Sequence, residues 1–307
     1  VRSINVLQLD LCTGNCYTFF VPPREYTGIM AVNRIGILYH PMIEATRVKA
    51  EELKAFLTGR GIAAWLCSAW DTAKAKAQMD DTELLLTVGG DGTILRAAQI
   101  ALPGKIPITG INLGKLGFLT ELDSAEAQEK LPELLEGKGW IDERAMLRVA
   151  LATPTRKPRP WHALNDAVAA RGEIARVIYI QAEVDGQYLA TYKADGVVVA
   201  TATGSTGYAL AAGGPIIHPR SGDFLMAPIA PHLSPAHALV LPGTAELKLN
   251  ISTVHPATLS IDGHTNLPLS SGDTITIRRS PHKTRFLRIH PGASFYGTLS
   301  EKLKGKM

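Results

Sequence analysis

The sequence predicts an α/β domain with a mostly parallel sheet followed by a β-rich domain, and three observations predict it. Short apolar runs alternate with helix-like segments over residues 35–139. Beyond Arg144 the chain becomes a series of strand-like runs separated by turn pairs. The length, 307 residues, accommodates two domains of about 100–200 residues each.

In the first half, residues 35–39 (Ile-Gly-Ile-Leu-Tyr) read as a buried strand and residues 45–57 as a helix stopped by Gly59 and Gly61. Residues 62–67, 84–88 and 106–111 are further strands; 93–102 and 124–135 are helices, the second interrupted by Pro132. In the second half, residues 177–184, 188–192, 196–200, 245–251, 258–261 and 274–277 read as strands. Asp185-Gly186, Asp262-Gly263 and Gly272-Asp273 are turn signals. Only residues 205–212 look helical there, and residues 154–160 (Pro-Thr-Arg-Lys-Pro-Arg-Pro) read as a basic, proline-rich loop near the boundary.

The net charge of +4 is spread among nearby Asp and Glu, with no nucleic-acid stripe; it suits anionic small molecules and ordinary surface charge equally. Cys12, Cys16 and Cys67 give neither a disulfide framework nor a complete zinc set, which reads as a reducing, cytoplasmic setting. No apolar run approaches the roughly 20 residues of a membrane span. Residues 1–29 stand apart: 11–23 are uncharged and lack a signal-peptide layout. Met30 is the expected native start, and the upstream segment a start-site artefact or a disordered extension.

The first chemical signal is Gly89-Gly90-Asp91-Gly92-Thr93, after an apolar strand and before a helix. Ligand loops sit there in α/β sheets, at the carboxyl ends of strands. Glycines turn sharply and admit a ligand to the backbone, and the helix start offers N–H groups to phosphate oxygens. Asp91 is the acidic group on the turn; it can orient a hydroxyl and accept its proton, or help hold magnesium. A tight turn with Asp91 as N-cap is the plain alternative.

Four further segments stand out. Residues 110–120 (Gly-Ile-Asn-Leu-Gly-Lys-Leu-Gly-Phe-Leu-Thr) are a strand end running into a glycine-rich loop, in which Leu116, Phe118 and Leu119 read as a junction plug. Asn165-Asp166 offers donor and acceptors suited to ribose hydroxyls or an adenine amino group, and is also a common turn pair. Residues 192–215 lead a strand into Thr203-Gly204-Ser205-Thr206, small hydroxyls that can cap a helix or bond ribose and phosphate. Asp262-Gly263 reads as a hairpin turn, and His264 on it as a turn histidine or a nucleotide contact.

Together these segments resemble the NAD kinase family from Arg34 onward. Gly89-Gly90-Asp91-Gly92-Thr93 is also similar to the motif of lipid kinases and phosphofructokinases, but Ile94-Leu95-Arg96-Ala97-Ala98 continues it in the NAD kinase style. Departures are Asp166 for Glu, Lys193 for Arg, Ala202 for Pro, Gly207 for Ala and His264 for Gln. Residues 235–238 replace a Ser-x-Arg-Pro element, and the tail 295–303 lacks its usual Trp.

The resemblance implies a Rossmann-like parallel-sheet domain (30–143), a β-sandwich-like NAD-binding domain (144–290) and a C-terminal tail (291–307) packing on the first domain. It implies transfer of the terminal phosphoryl group of ATP or polyphosphate to the adenosine 2′-hydroxyl of NAD, with Mg2+ or another divalent metal and metal ligands unassigned. Asp91 would be catalytic, and Gly89, Gly90, Gly92, Thr93 and Gly114 would form the phosphate-donor loop. NAD contacts would be Asp91, Gly92, Asn165, Asp166, Arg176, Lys193, Asp195, Thr206, Gly207, Tyr208, Ala209, Leu210, Ala211 and His264. Asp195 would reach the nicotinamide part of an NAD bound by a neighbouring subunit, so a homo-oligomer, dimer or tetramer, is expected. No nucleic-acid or membrane partner is expected. A non-catalytic NAD-binding sensor and another small-molecule or lipid kinase stay open as alternatives.

Overall fold

The computed structural model describes residues 32–102, 105–114, 117–153, 156–172, 176–233, 235–290 and 295–304. The expectation for residues 1–29 lies outside them, as do Lys115 and Leu116.

The first half is β1 (Arg34–Tyr39), α1 (Glu44–Thr58), β2 (Ala63–Ser68), α2 (Thr72–Lys76), β3 (Leu84–Val88), α3 (Asp91–Ile100), β4 (Ile108–Asn112), β5 (Leu122–Asp123) and α4 (Ala127–Leu135). Its sheet is parallel in the order β4-β3-β1-β2. Helices cover both faces, so the strands read as near-continuous apolar runs, and every residue of β3 is buried. Side chains alternate between two cores. Ile35, Ile37, Leu84, Leu86 and Val88 meet Ala50, Leu53 and Leu57 of α1. Leu38 and Leu85 meet Ile94, Ala97 and Ala98 of α3. Thus α3 starts at the carboxyl edge of the sheet, directly after β3.

The second half is β6 (Trp140–Thr153), β7 (Arg156–Ala163), β8 (Asp166–Arg171), β9 (Ile178–Val184), β10 (Gln187–Ala194), β11 (Gly196–Thr201), a 3-10 turn (Gly204–Thr206), α5 (Tyr208–Ala211), β12 (Phe224–Ile229), β13 (Leu239–Leu241), β14 (Leu247–Ser252), β15 (Ala257–Ile261), β16 (Thr265–Leu269), β17 (Thr274–Arg288) and α6 (Phe295–Lys304). One sheet is antiparallel in the order β13-β12-β11-β8-β15-β16. It packs on β9, β14, β17 and β6 through a single core that includes Tyr192, Val197, Val199, Phe224, Leu247 and Ile277. Asp185-Gly186 joins β9 to β10 with positive φ at both residues, as a two-residue hairpin loop requires.

Strands β6 and β17 tie the halves together. They pair from Ala152↔Thr274 to Trp140↔Arg288, with an irregularity between Arg279 and Lys283, and β17 then runs parallel to β4 at Phe286↔Ile108. The parallel sheet and one layer of the β-rich half are therefore a single 11-stranded sheet.

Three local expectations change. The strand expected over 274–277 extends to Arg288, because its later core-facing positions include the polar Thr284 and Arg288, buried at the junction. The proline-rich stretch expected as a loop becomes strand from Arg156; among the described residues β7 pairs with β6 alone, and an edge strand tolerates Pro158 and Pro160. The helix expected over 205–212 is broken at Gly207 (φ −95, ψ −129) into the 3-10 turn and α5.

Phe286 is fully buried where β17 meets β4, with the guanidinium carbons of Arg288 and Arg144 at 4.6 and 5.7 Å from its ring centroid. Phe286→Ala should therefore destabilise the protein by about 3–5 kcal/mol, read as a lowered urea midpoint; a change under about 1 kcal/mol would show that this junction does not hold the halves together.

Candidate active site

The glycine loop is built around close backbone approaches. Gly89 has φ +152, and a Cβ there would lie 2.4 Å from Thr93 Oγ1, so only glycine fits. Gly90 and Gly92 face open space, leaving their backbone accessible; Gly114 beyond β4 does too, but its N–H donates to Asn112 Oδ1 at 3.1 Å. Asp91 opens α3, but its carboxylate turns toward the loop after β4. Phe118 N–H donates to Oδ2 at 2.9 Å and Leu119 N–H to Oδ1 at 3.1 Å. Gly117 packs on the same carboxylate, where a Cβ would lie 2.1 Å from Oδ1. Each oxygen keeps a lone pair in addition to the one its N–H engages.

A second cluster forms where β8 begins and β11 ends. Asp262 accepts from the backbone N–H of Leu164 (2.9 Å), Asn165 (2.7 Å) and Asp166 (3.1 Å). Gln99, at the far end of α3, donates to Asp262 Oδ2 at 3.3 Å and to the His162 carbonyl at 2.6 Å. The 3-10 turn packs on this corner: Gly204 has no room for a Cβ, which would lie 2.1 Å from the Asn165 carbonyl oxygen. Thr201 Oγ1 donates to the Leu164 carbonyl at 2.6 Å and accepts from Gly204 N–H. Ser205, fully buried, donates to the Ala202 carbonyl and accepts from Ile217 N–H, so its hydroxyl is structural. Among the described residues, Asn165 Oδ1 and Thr93 Oγ1 are buried without a hydrogen-bond partner.

Buried charges join the two clusters. Arg288 donates from Nη1 to the Leu119 carbonyl (2.8 Å) and to Glu121 (3.0 Å), and pairs through Nε with Asp142 at 3.4 Å. Arg144 pairs with Asp142 at 2.5 Å and donates to Thr203 Oγ1 at 3.3 Å. Burial pushes the Asp142 carboxyl up, but the hydrogen bond and charge of Arg144, with Arg288 and Arg220, hold it below its usual value. A continuous path therefore runs from the Asp91 carboxylate through Leu119, Arg288, Asp142 and Arg144 to Thr203. Beside it, Phe118, Leu119, Arg144, Ala202, Thr203, Thr206, Pro219 and Phe295 enclose a cavity of about 30 Å³. That volume fits one or two waters and is too small to hold a nucleotide.

Two family models cover most of the chain: the ATP-NAD kinase N-terminal domain over residues 5–139 and the ATP-NAD kinase C-terminal domain over residues 164–289. An NAD kinase of Dehalococcoides mccartyi is 48% identical over 273 residues, 89% of this chain and 96% of the relative. The chain belongs to the NAD kinase family. An NAD kinase of Chloroflexus aggregans is 38% identical over 89% of this chain and 99% of its own. Among solved structures, yeast NADH kinase complexed with NADH matches with a TM-score of 0.76 at 26% identity, covering 84% of each chain. An Archaeoglobus fulgidus NAD kinase in complex with ATP matches with a TM-score of 0.70 at 26% identity, covering 88% of this chain and 98% of that one.

The remaining residues singled out by the NAD kinase resemblance fall into four places. Thr206 is buried, its hydroxyl donating to the Thr203 carbonyl at 3.3 Å, whereas Gly207, Tyr208 and Ala211 are exposed beside it and Leu210 is partly so. The Ala209 side chain points into the core with Val198 and Leu225, leaving only its backbone for a ligand. Lys193 and Asp195 sit at the end of β10, where Asp195 pairs with Arg171 (2.7 Å to Nε, 2.9 Å to Nη2) and the Lys193 carbonyl accepts from His232 N–H. Arg176 is exposed at the start of β9. His264 closes its own turn through Nδ1 to the Asp262 carbonyl at 3.0 Å. The residues sequence reasoning passed over are Asp262, Gln99, Asp142, Arg144 and Arg288; the Asp-Gly pair pointed only to a turn, and isolated charges in strands gave no signal of convergence.

Burial pushes Asp166 and Asp262 up together, but three backbone N–H groups pull Asp262 back, so Asp262 ionises first. Burial, then the Asp262 charge, carries Asp166 up to about 7. In the unfolded chain that carboxyl ionises near about 4. Between those values the folded state holds the extra proton, so Asp166 makes stability fall as pH rises from about 4 to about 7. Asp166→Asn should flatten that slope and exceed wild-type stability at pH 8 by on the order of 3 kcal/mol in urea melts. A slope unchanged by the substitution would place the proton elsewhere.

Proposed function

We propose that this chain transfers the terminal phosphoryl group of ATP, or of polyphosphate, to the 2′-hydroxyl of the adenosine ribose of NAD, giving NADP. The observation that carries it is the Asp91 carboxylate, fixed at a helix start beside an open glycine backbone and linked by a buried charge path to the Thr203–Thr206 turn. Membership in the NAD kinase family supports NAD and ATP as its substrates.

The Asp166 corner and the turn through Tyr208 hold the adenosine end of NAD, with Asn165 Oδ1 accepting from it. Asp91 orients the 2′-hydroxyl and takes its proton as the phosphoryl group transfers in line. Because such transition states are loose, positioning contributes more than base strength. N–H groups at Gly90 and Gly92 receive the donor phosphates, while the Gly114 N–H is held by Asn112 Oδ1. Among the described residues no group of three or more His, Cys, Asp or Glu forms a metal cage. Magnesium commonly uses one or two carboxylates together with substrate phosphates, which the available lone pairs of Asp91 fit. Held by Asp91 and the donor, it would neutralise charge on the transferring oxygens.

The assembly we infer is a homo-oligomer acting in the cytoplasm, with Asp195, braced by Arg171, facing a neighbour's NAD. Exposed Tyr188 and Leu189 on the edge strand β10 support an interface there.

Asp91→Asn should lower NADP formation by at least about 100-fold. Because the amide cannot accept from both Phe118 and Leu119, the 117–120 loop should loosen, and NAD affinity by calorimetry should weaken only a few fold. Full turnover in the variant would remove Asp91 from the chemistry. The same assay with ATP and polyphosphate supplied separately identifies the donor.

A further inference from the structure

Arg96 stands on the second turn of α3, one turn below Gly92 on the same face. Its guanidinium carbon lies 4.1 Å from the centroid of the Trp70 ring. Trp70 in turn packs edge-on against His40, with ring centroids 4.4 Å apart. Arg96 is half-buried, and its pKa is lowered by burial alone; no carboxylate among the described residues offsets the lost hydration. A partly desolvated guanidinium with an aromatic face but no carboxylate beside it offers its N–H donors to an anionic ligand.

Its position says which one. His40 follows β1, Trp70 lies just past β2 and Gly89 follows β3, so all three occupy the carboxyl edge of neighbouring parallel strands. His40 N–H donates to the Val88 carbonyl at 3.3 Å, and a Cβ on Gly89 would lie 3.5 Å from His40 Cβ. Helical side chains lean toward the helix start, so Arg96 leans along the face that Gly92 heads, with its guanidinium seated on Trp70. The Asp91 carboxylate turns the other way, to Phe118 and Leu119 beyond β4. The glycine loop thus has an acceptor side toward β4 and an opposite side, toward β1 and β2, where the cation waits. In-line transfer needs donor and acceptor on opposite sides of the moving group.

We propose that Arg96, seated on Trp70 and His40, is a phosphate-binding residue of the donor subsite. It takes the oxygens of a phosphate chain that leaves the Gly90–Gly92 backbone toward β1. This rests on the kinase reading above. The chemistry is shared by a nucleoside triphosphate and by inorganic polyphosphate, and the guanidinium fork suits either.

The test is steady-state kinetics of the full chain with ATP and with polyphosphate, on wild type, Arg96→Gln and Arg96→Lys. Arg96→Gln should raise KM for whichever donors the wild type uses by about 10-fold, leaving KM for NAD within about twofold. Arg96→Lys, which keeps the charge without the fork, should fall between. Active wild type with donor KM unchanged in both variants overturns this inference and leaves the kinase reading standing. So does a rise in KM for NAD equal to that for the donor, the sign of a merely structural role. If both donors serve and only ATP is affected, the phosphate assignment is overturned in favour of a nucleoside contact. If wild type makes no NADP, the kinase reading fails; calorimetric binding of ATP to wild type and Arg96→Gln then judges Arg96 by itself, and equal affinity overturns its role.

Discussion

The two backbone N–H groups that grip the Asp91 carboxylate are the contact on which the site depends. Asp91 belongs to α3, and Phe118 and Leu119 belong to the loop beyond β4, so this grip decides where the helix start faces. Its geometry is tightly set on the side of the loop beyond β4. Gly117 leaves no room for a side chain against the carboxylate, and the Leu119 carbonyl is itself held by Arg288. From Arg288 the path continues through Asp142 to Arg144 and Thr203. Arg144, Arg288, Asp142 and Glu121 are all nearly inaccessible and sum to no net charge. A buried set of this kind contributes little net stability, because desolvation offsets attraction; losing one member strands the others at a cost of about 3–5 kcal/mol. What the set supplies here is position, since each member has hydrogen-bond partners on a different element.

A second tie works from the opposite end of α3. Gln99 holds Asp262, and Asp262 holds three successive N–H groups of the corner at Leu164, Asn165 and Asp166. One helix therefore carries Asp91 at its start and a link to the corner near its end, about two turns away. With the charge path closing the third side, the glycine loop, the 3-10 turn and the corner form a triangle with no freely rotating side. Reaction by positioning needs this, because small displacements of the hydroxyl relative to the donor cost rate steeply.

The α/β half was legible because its signals are local. Leu84–Val88 was delimited to the residue, since five buried positions between two helical layers leave an unbroken apolar run ended by glycine. The hairpin at Asp185-Gly186 was legible because positive φ demands such residues. The long β6 and β17 were not. Asp142, Arg144, Thr284 and Arg288 occupy core positions there, so the strands lack clean apolar alternation, and their burial is tolerable only because distant residues pair them. The glycine loop was legible as a site, but the direction of the Asp91 side chain was not. It depends on a loop 27 residues away, and no local pattern encodes that contact.

That direction bears on how Asp91 acts. A carboxylate capping its own helix would spend its oxygens on N–H groups of α3, whereas this one spends one lone pair of each on a different loop. It is immobilised without being saturated, because both oxygens retain acceptor capacity toward the cleft. The backbone N–H groups at the start of α3 are correspondingly left for an anion. The carboxylate oxygens and the N–H groups of the helix start thus come from the same few residues but serve different places, the oxygens the loop beyond β4 and the N–H groups the open end of the helix. The division follows from one glycine, Gly117, whose missing side chain lets the loop beyond β4 close on Asp91.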